Sequence, residues 1–138
     1  ACVNEADIVI TITPASKPIL NGHWLKPGTH INAAGGNHWM RREVDDETVR
    51  RASVIVVDDL EQAKLECGDL IYPIENGIIR WQQTHNICDL VAGTIPGRTN
   101  DKEITLFESQ GLALEDISTG ALIYQKARDE GIGMEISM

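Results

Sequence analysis

Three short runs of β-branched and apolar residues, each stopped by a turn former or a helix starter, constrain this chain more than any other feature. Asp7–Thr13 (DIVITIT) stops at Pro14, Thr29–Ala34 (THINAA) stops at Gly35-Gly36, and Ser53–Val57 (SVIVV) stops at Asp58-Asp59. Near-continuous apolarity, rather than strict alternation, marks strands buried on both faces, as in a parallel sheet. Between the second and third runs, 45–52 carries acids in its first turn and Arg50-Arg51 in its last, the charge order that complements a helix dipole. After the third, Asp59-Leu60-Glu61-Gln62 has capping-box spacing and Gly68 stands where a helix would end. Strand and helix alternate, so the expected class is α/β with a parallel sheet.

The rest of the chain extends this pattern. Pro73, Asn76-Gly77 and Pro96-Gly97 break up 72–99, within which 84–92 has room for a helix. Glu103–Phe107 reads as a fourth strand. It leads through Ser109-Gln110-Gly111 into a long helix from about Leu112 to Glu130, stopped by Gly131. Leu114, Ile117, Ala121 and Tyr124 recur at spacings of three and four, which predicts a helix packed along that stripe. With 138 residues, no internal repeat and no linker, one domain over 1–138 is expected.

Charge and cysteine usage narrow the function classes. Twelve Lys and Arg against 21 Asp and Glu give a net charge of −9, which repels phosphate backbones and anionic membrane surfaces. Nucleic acid and membrane are therefore not expected partners. The pairs Arg41-Arg42 and Arg50-Arg51 lie among Glu43, Asp45, Asp46 and Glu47, and this stretch reads as surface and helix-entry residues. No segment approaches the ~20 apolar residues of a membrane helix. No basic stretch precedes the first apolar run, so a signal peptide is not expected. Cys2, Cys67 and Cys88 are odd in number and lack CxxC spacing, which favours a reducing compartment, by default the cytoplasm. They have no activating cluster, so no nucleophile is assigned. His85-x-x-Cys88 would share a helical face, but a metal needs further ligands; the pair reads as a surface His with a buried Cys. His23, His30 and His38 read as hydrogen-bonded filler, and Trp24, Trp39 and Trp81 as packing anchors.

An ordered set of motifs adds a resemblance. Ala6-Asp7-Ile8-Val9 with Thr13-Pro14 and Pro18-Ile19-Leu20 comes first. Trp24–Ala33 (WLKPGTHINA) with Gly35-Gly36-Asn37 follows. Then come Pro96-Gly97-Arg98-Thr99 with Glu103–Phe107 (EITLF), and Ser109 with Gly111-Leu112-Ala113 and Glu115-Asp116. Over nearly all 138 residues this order resembles the ornithine cyclodeaminase/mu-crystallin family. The resemblance implies a Rossmann-type domain with NAD or NADP lying across the carboxyl ends of its strands. Members open that domain with a glycine-rich strand-to-helix turn for the pyrophosphate. This sequence has none: Gly93-x-x-x-Gly97 and Gly131-x-Gly133 do not lie between a predicted strand and a helix start.

The chain thus resembles the C-terminal, nicotinamide-side half of that domain: a partial Rossmann-type sheet of about four parallel strands, flanking helices and a long C-terminal helix. The implied parent activity is that of an NAD(P)-dependent cyclodeaminase, ketimine reductase or amino-acid dehydrogenase, and the chain alone is expected to be inactive. The alternative is a stand-alone oligomerising or small-molecule-binding module. A half sheet leaves a bare strand edge, so a homo-oligomer through that edge, or a partner supplying the missing half, is expected.

The resemblance implies cofactor contacts at Thr13, Pro14, Asn32, Gly35, Asn37, Ser109 and Gly111. Each has a plainer reading beside it. Thr13-Pro14 could be only a strand-ending turn. Asn32 with Gly35-Gly36 either lets the chain approach a flat ring closely or forms a turn needing positive φ. Ser109 could simply cap the long helix. Asn37 stands where cyclodeaminases and the related alanine dehydrogenases carry an aspartate that can shuttle protons during water attack on an imine. An amide cannot do so, and the resemblance therefore fits a reductase or dehydrogenase relative better than a cyclodeaminase.

Overall fold

The computed structural model of the chain describes residues 2–134 and 136. Five strands form one fully parallel sheet: β1 (Ile8–Thr11), β2 (His30–Ala33), β3 (Ala52–Val57), β4 (Thr84–Asn86) and β5 (Ile104–Glu108). Their spatial order is β1-β2-β5-β3-β4, so the last strand is inserted between β2 and β3. The α/β parallel architecture is as expected from the sequence, with one strand more than the expected four. β4 occupies part of the stretch expected to be helical. Its three residues pair with Ile55, Val56 and Val57 of β3, and only then does a short helix, α4 (Ile87–Val91), begin.

Helices α1 (Asp46–Arg51), α2 (Leu60–Glu66) and α3 (Gly68–Glu75) follow β2 and β3. Two start as their side chains dictate: Asp45 accepts from the Thr48 N–H, and Asp59 from the Gln62 N–H, each three residues on. α2 ends at Glu66 with Cys67 as its cap, so Gly68 follows the helix end as expected, without the left-handed turn. Gly68 also opens α3, and a side chain there would strike the carbonyls of Arg41, Trp39 and His38. Val49 of α1, Ala63 of α2 and Leu70 of α3 pack, all fully buried, with Ile31, Ile55, Val57 and Leu106 of the sheet. This core lies on one face.

The other face differs from the expectation of strands buried on both sides. Ile8 and Ile10 are 61% and 66% exposed, and the central strands present half-buried His30, Asn32, Thr105 and Phe107. α4 covers only the far end, leaving an open groove of about 550 Å³ lined by Asn32, Val54, Leu90, Arg98 and Phe107. Helix α5 (Ala113–Glu130) ends at Gly131 in the left-handed conformation (φ 65°), as expected. Its predicted packing stripe is not realised: Leu114, Ile117 and Tyr124 are 69%, 68% and 63% exposed, and none of its residues is buried. Periodicity shows that a helix has an apolar face but not what covers it. Trp24 and Trp39 are likewise exposed rather than anchors, while Trp81 packs against the core.

Candidate functional site

All five strands run the same way, so every loop that follows a strand emerges along one edge. Thr11, Ala33, Glu108, Val57 and Asn86 form the last row of the sheet. Beyond it the ladder continues through Ala34 N–H to Thr11 O (2.8 Å) and Ser109 N–H to Ala33 O (2.9 Å). Thr13-Pro14, Gly35-Gly36-Asn37 and Ser109-Gln110-Gly111 are therefore neighbours, although about 100 residues separate the first from the last. Pro14, Asn37 and Gly111 are exposed there, and Thr13, Gly35 and Ser109 are half-buried. Asn32 stands apart. It lies on β2 facing the open groove, its Oδ1 3.2 Å from Nε2 of His30, whose Nδ1 is 2.7 Å from Thr105 Oγ1.

Beneath the edge lie acids that the sequence reading placed on the surface or passed over. Glu43 is fully buried. Its Oε1 accepts from the Thr13 N–H (2.6 Å) and Oγ1 (2.7 Å), and its Oε2 accepts from the Gly35 N–H (2.7 Å). The Gly35-Gly36 pair is needed for this packing, not for a left-handed turn, since neither has positive φ. A Cβ on Gly35 would lie 2.5 Å from Thr13 N and 2.6 Å from Glu43 Cδ, and one on Gly36 would lie 2.5 Å from Asp69 Oδ2. The close approach is to the protein's own backbone and carboxylates.

Asp58 organises the loop after β5. Its Oδ2 accepts from Gln110 N–H and Gly111 N–H (2.7 Å each) and from Ser109 Oγ (3.2 Å). Ser109 is consequently not a helix cap. α5 starts at Ala113, the residue before it is Leu112, and no side chain caps it. Gln110, only 7% exposed, has neither amide atom hydrogen-bonded. A buried primary amide without partners is costly.

Three more groups complete the buried cluster. Asp69 Oδ1 accepts from the Glu43 N–H (2.8 Å) and the Val44 N–H (2.9 Å), while its Oδ2 has no partner. Burial pushes its carboxyl up to about 7, against the pull of those two N–H groups and of nearby Arg42. Burial, with the negative charges of Asp69 and Glu43, holds Glu108 well above the usual carboxylate range. Cys67, whose Sγ lies 3.7 Å from Glu108 Oε2, is pushed up by burial and by Glu108 and Asp69, which argues against a nucleophilic role. Of these acids only Glu108 carried a readable signal, because it continues the inward alternation of Ile104 and Leu106.

The exposed part of the edge offers the Asn37 amide and peptide groups rather than titrating ones, while the Thr13 and Ser109 hydroxyls already donate to Glu43 and Asp58. It can orient a neutral polar ring substituent by hydrogen bonding. Asp58 and Asp59, where a phosphate grip would require N–H groups or cations, argue that a pyrophosphate is not held there. The edge thus suits a neutral polar group rather than a phosphate. Among the described residues no group of three or more His, Cys, Asp or Glu side chains is arranged for a metal ion, and no helix is long and apolar enough to cross a membrane. His85 lies in β4 and Cys88 is exposed on α4, so they do not share a helix, and Cys88 is not the buried thiol expected.

The profile of the ornithine cyclodeaminase/mu-crystallin family matches residues 1–131. An alanine dehydrogenase of Archaeoglobus fulgidus is 38% identical over 134 residues, covering 96% of this chain and 41% of its own length. Ketimine reductase mu-crystallin of Mus musculus is 38% identical over 122 residues, covering 88% of this chain and 36% of its own. The solved structure of Thermococcus litoralis Δ1-pyrroline-2-carboxylate reductase, in complex with NADH and L-proline, superposes with a TM-score of 0.88 at 41% identity, over 97% of this chain and 42% of that one. The chain spans about two fifths of the length of these relatives.

Proposed function

The chain belongs to the ornithine cyclodeaminase/mu-crystallin family, and on that premise we propose that it carries the nicotinamide-side half of an NAD(P)-binding domain. The observation that carries this reading is the shared edge: Thr13, Gly35, Asn37 and Gly111 stand at adjacent carboxyl ends of parallel strands, above the unpartnered Gln110 amide. Thr13-Pro14 and Gly35–Asn37 would border the nicotinamide and Gln110 would meet its carboxamide. Asn32, from its place in the groove, would act on the ring face through the row beneath rather than at the edge. The cofactor, when bound, supplies hydride transfer; this half of the site orients the ring and excludes water from one side of it. The parent reaction fits a reductase or dehydrogenase better than a cyclodeaminase, because the Asn37 amide cannot shuttle protons in the water attack on an imine that cyclodeamination needs. On this reading the phosphate grip and the substrate-binding residues belong to the part of the relatives that the chain does not match.

Weak dinucleotide binding is the expected outcome. Calorimetric titration of the chain with NADH and NADPH is expected to give saturable heat only in the high-micromolar to millimolar range. That corresponds to roughly 4–6 kcal/mol, the scale of a partial site. Absence of heat at millimolar cofactor would remove the binding claim.

A second reading rests on β1. In its parallel pairing with β2, Asp7 and Thr11 carbonyls accept from His30 and Ala34, so the peptide groups of Ile8 and Ile10 point away from the sheet. Such an open, apolar edge strand recruits another strand. A dimer or a complex with a partner that pairs along β1 is the proposed assembly, and light scattering from a monomer at high concentration would count against it.

A further inference from the structure

Glu43 uses every polar group it has, and each contact reaches a different part of the edge. Its carboxylate takes the Thr13 N–H and Oγ1 on one oxygen and the Gly35 N–H on the other. Its own N–H is held by Asp69 of α3 at 2.8 Å. Its carbonyl accepts from Ile19 N–H at 2.8 Å and Leu20 N–H at 2.9 Å, in the segment that follows Thr13-Pro14. Further along, Asp45 Oδ1 accepts from the Gly22 N–H (2.9 Å), but among the described residues no other side-chain hydrogen bond joins Thr13-Pro14 to Gly35–Asn37.

We propose that Glu43 is the positioning residue of the cofactor-facing edge: its single buried carboxylate fixes the spacing between the Thr13-Pro14 loop and the Gly35–Asn37 loop. The inference rests on reading that edge as the nicotinamide side. Carboxylate chemistry is what the position requires, because both oxygens face donors. A glutamine would turn its NH2 towards either the Thr13 or the Gly35 N–H and could hold only one loop. An aspartate, one methylene shorter, could not reach both. Glu43 touches neither ring nor substrate, so it sets geometry without taking part in the chemistry. Asp69 supports it from behind by fixing its backbone.

Hydrogen exchange of individual amides in the wild-type chain and in Glu43→Gln reads the proposal without cofactor. The expected result is exchange at least tenfold faster at Thr13 or Gly35, with the core amides of Ile31 and Leu106 unchanged. Unchanged protection at both Thr13 and Gly35 would overturn it. If the glutamine variant does not fold, Glu43→Asp, which keeps the charge, is read at the same two amides with the same criterion. NADH titration then tests the link to function: affinity lowered at least tenfold in the variant, at unchanged core protection, supports positioning of the cofactor edge, and equal affinity overturns it. Failure of the wild-type chain to bind NADH would remove the functional reading alone, and the amide result would still decide whether Glu43 sets the loops.

Discussion

Gly35→Ala is expected to destabilise the chain by about 3 kcal/mol or more, a large share of the total stability of a domain this size. The added methyl would be driven into the Thr13 carbonyl and would sit 2.5 Å from the Thr13 nitrogen and 2.6 Å from Glu43 Cδ. Neither neighbour can yield cheaply. One is backbone and the other is a carboxylate pinned by three hydrogen bonds. Separating the two loops breaks those bonds and leaves buried donors unmatched, at about 1–3 kcal/mol each. Urea unfolding is the measurement. Gly120→Ala is the control, because Gly120 lies in exposed α5 with nothing within 4 Å. There the substitution should cost nothing and can add up to about 1 kcal/mol of helix stability. Equal midpoints for the two variants would mean that the Gly35 packing is not as described.

Stability should also fall as pH rises from about 4 to about 7. Asp69 ionises near 3.8 when unfolded and near 7 when folded, so between those values the folded chain holds a proton that the unfolded chain has lost. Protonated Asp69 therefore contributes stability that is fully present below pH 3.8 and is lost as pH passes through about 7. At about 1.4 kcal/mol per pH unit the loss is on the order of 4 kcal/mol. Glu108 acts in the same direction, since its carboxyl is raised by burial and by Asp69 and Glu43. Denaturant titrations at pH 5 and pH 8 should show the lower midpoint at pH 8. Asp69→Asn keeps an oxygen acceptor for the Glu43 and Val44 N–H groups and removes the ionisation, so it should flatten much of that slope. An equally steep slope in the variant would place the linkage elsewhere, for instance in general repulsion at a net charge of −9.

What could be read from the sequence follows from what each signal depends on. β1, β2, β3 and β5 announce themselves because each is a local run of β-branched and apolar residues, although only one face of the sheet is covered and Ile8 and Ile10 stay exposed. β4 does not, since Thr84–Asn86 becomes a strand only through its pairing with Ile55–Val57. α3 was hidden by Pro73 inside it and by Cys67 before it, which offers no cap. The stripe on α5 was legible as a stripe, but its exposure was not, because periodicity carries no information about what lies opposite.

The candidate edge divides in the same way. Thr13, Gly35, Asn37 and Ser109 follow strands, and parallel strands deliver their loops to one side. The acids beneath are another matter. Glu43 sits in a run of charges that composition assigns to solvent, and only the fold reveals that it, Asp58 and Asp69 are turned inward to hold backbone N–H groups. Ser109 was likewise a reasonable helix cap until Asp58 proved to take its hydroxyl.

An NADH titration followed amide by amide tests most directly the proposal that the carboxyl-end edge meets a nicotinamide ring. The predicted result is that the resonances of Thr13, Gly36, Asn37 and Gly111 and the side-chain amide of Gln110 shift together along one binding curve. Shifts confined to the groove residues His30, Thr105 and Phe107, or no shifts at millimolar NADH, would contradict it.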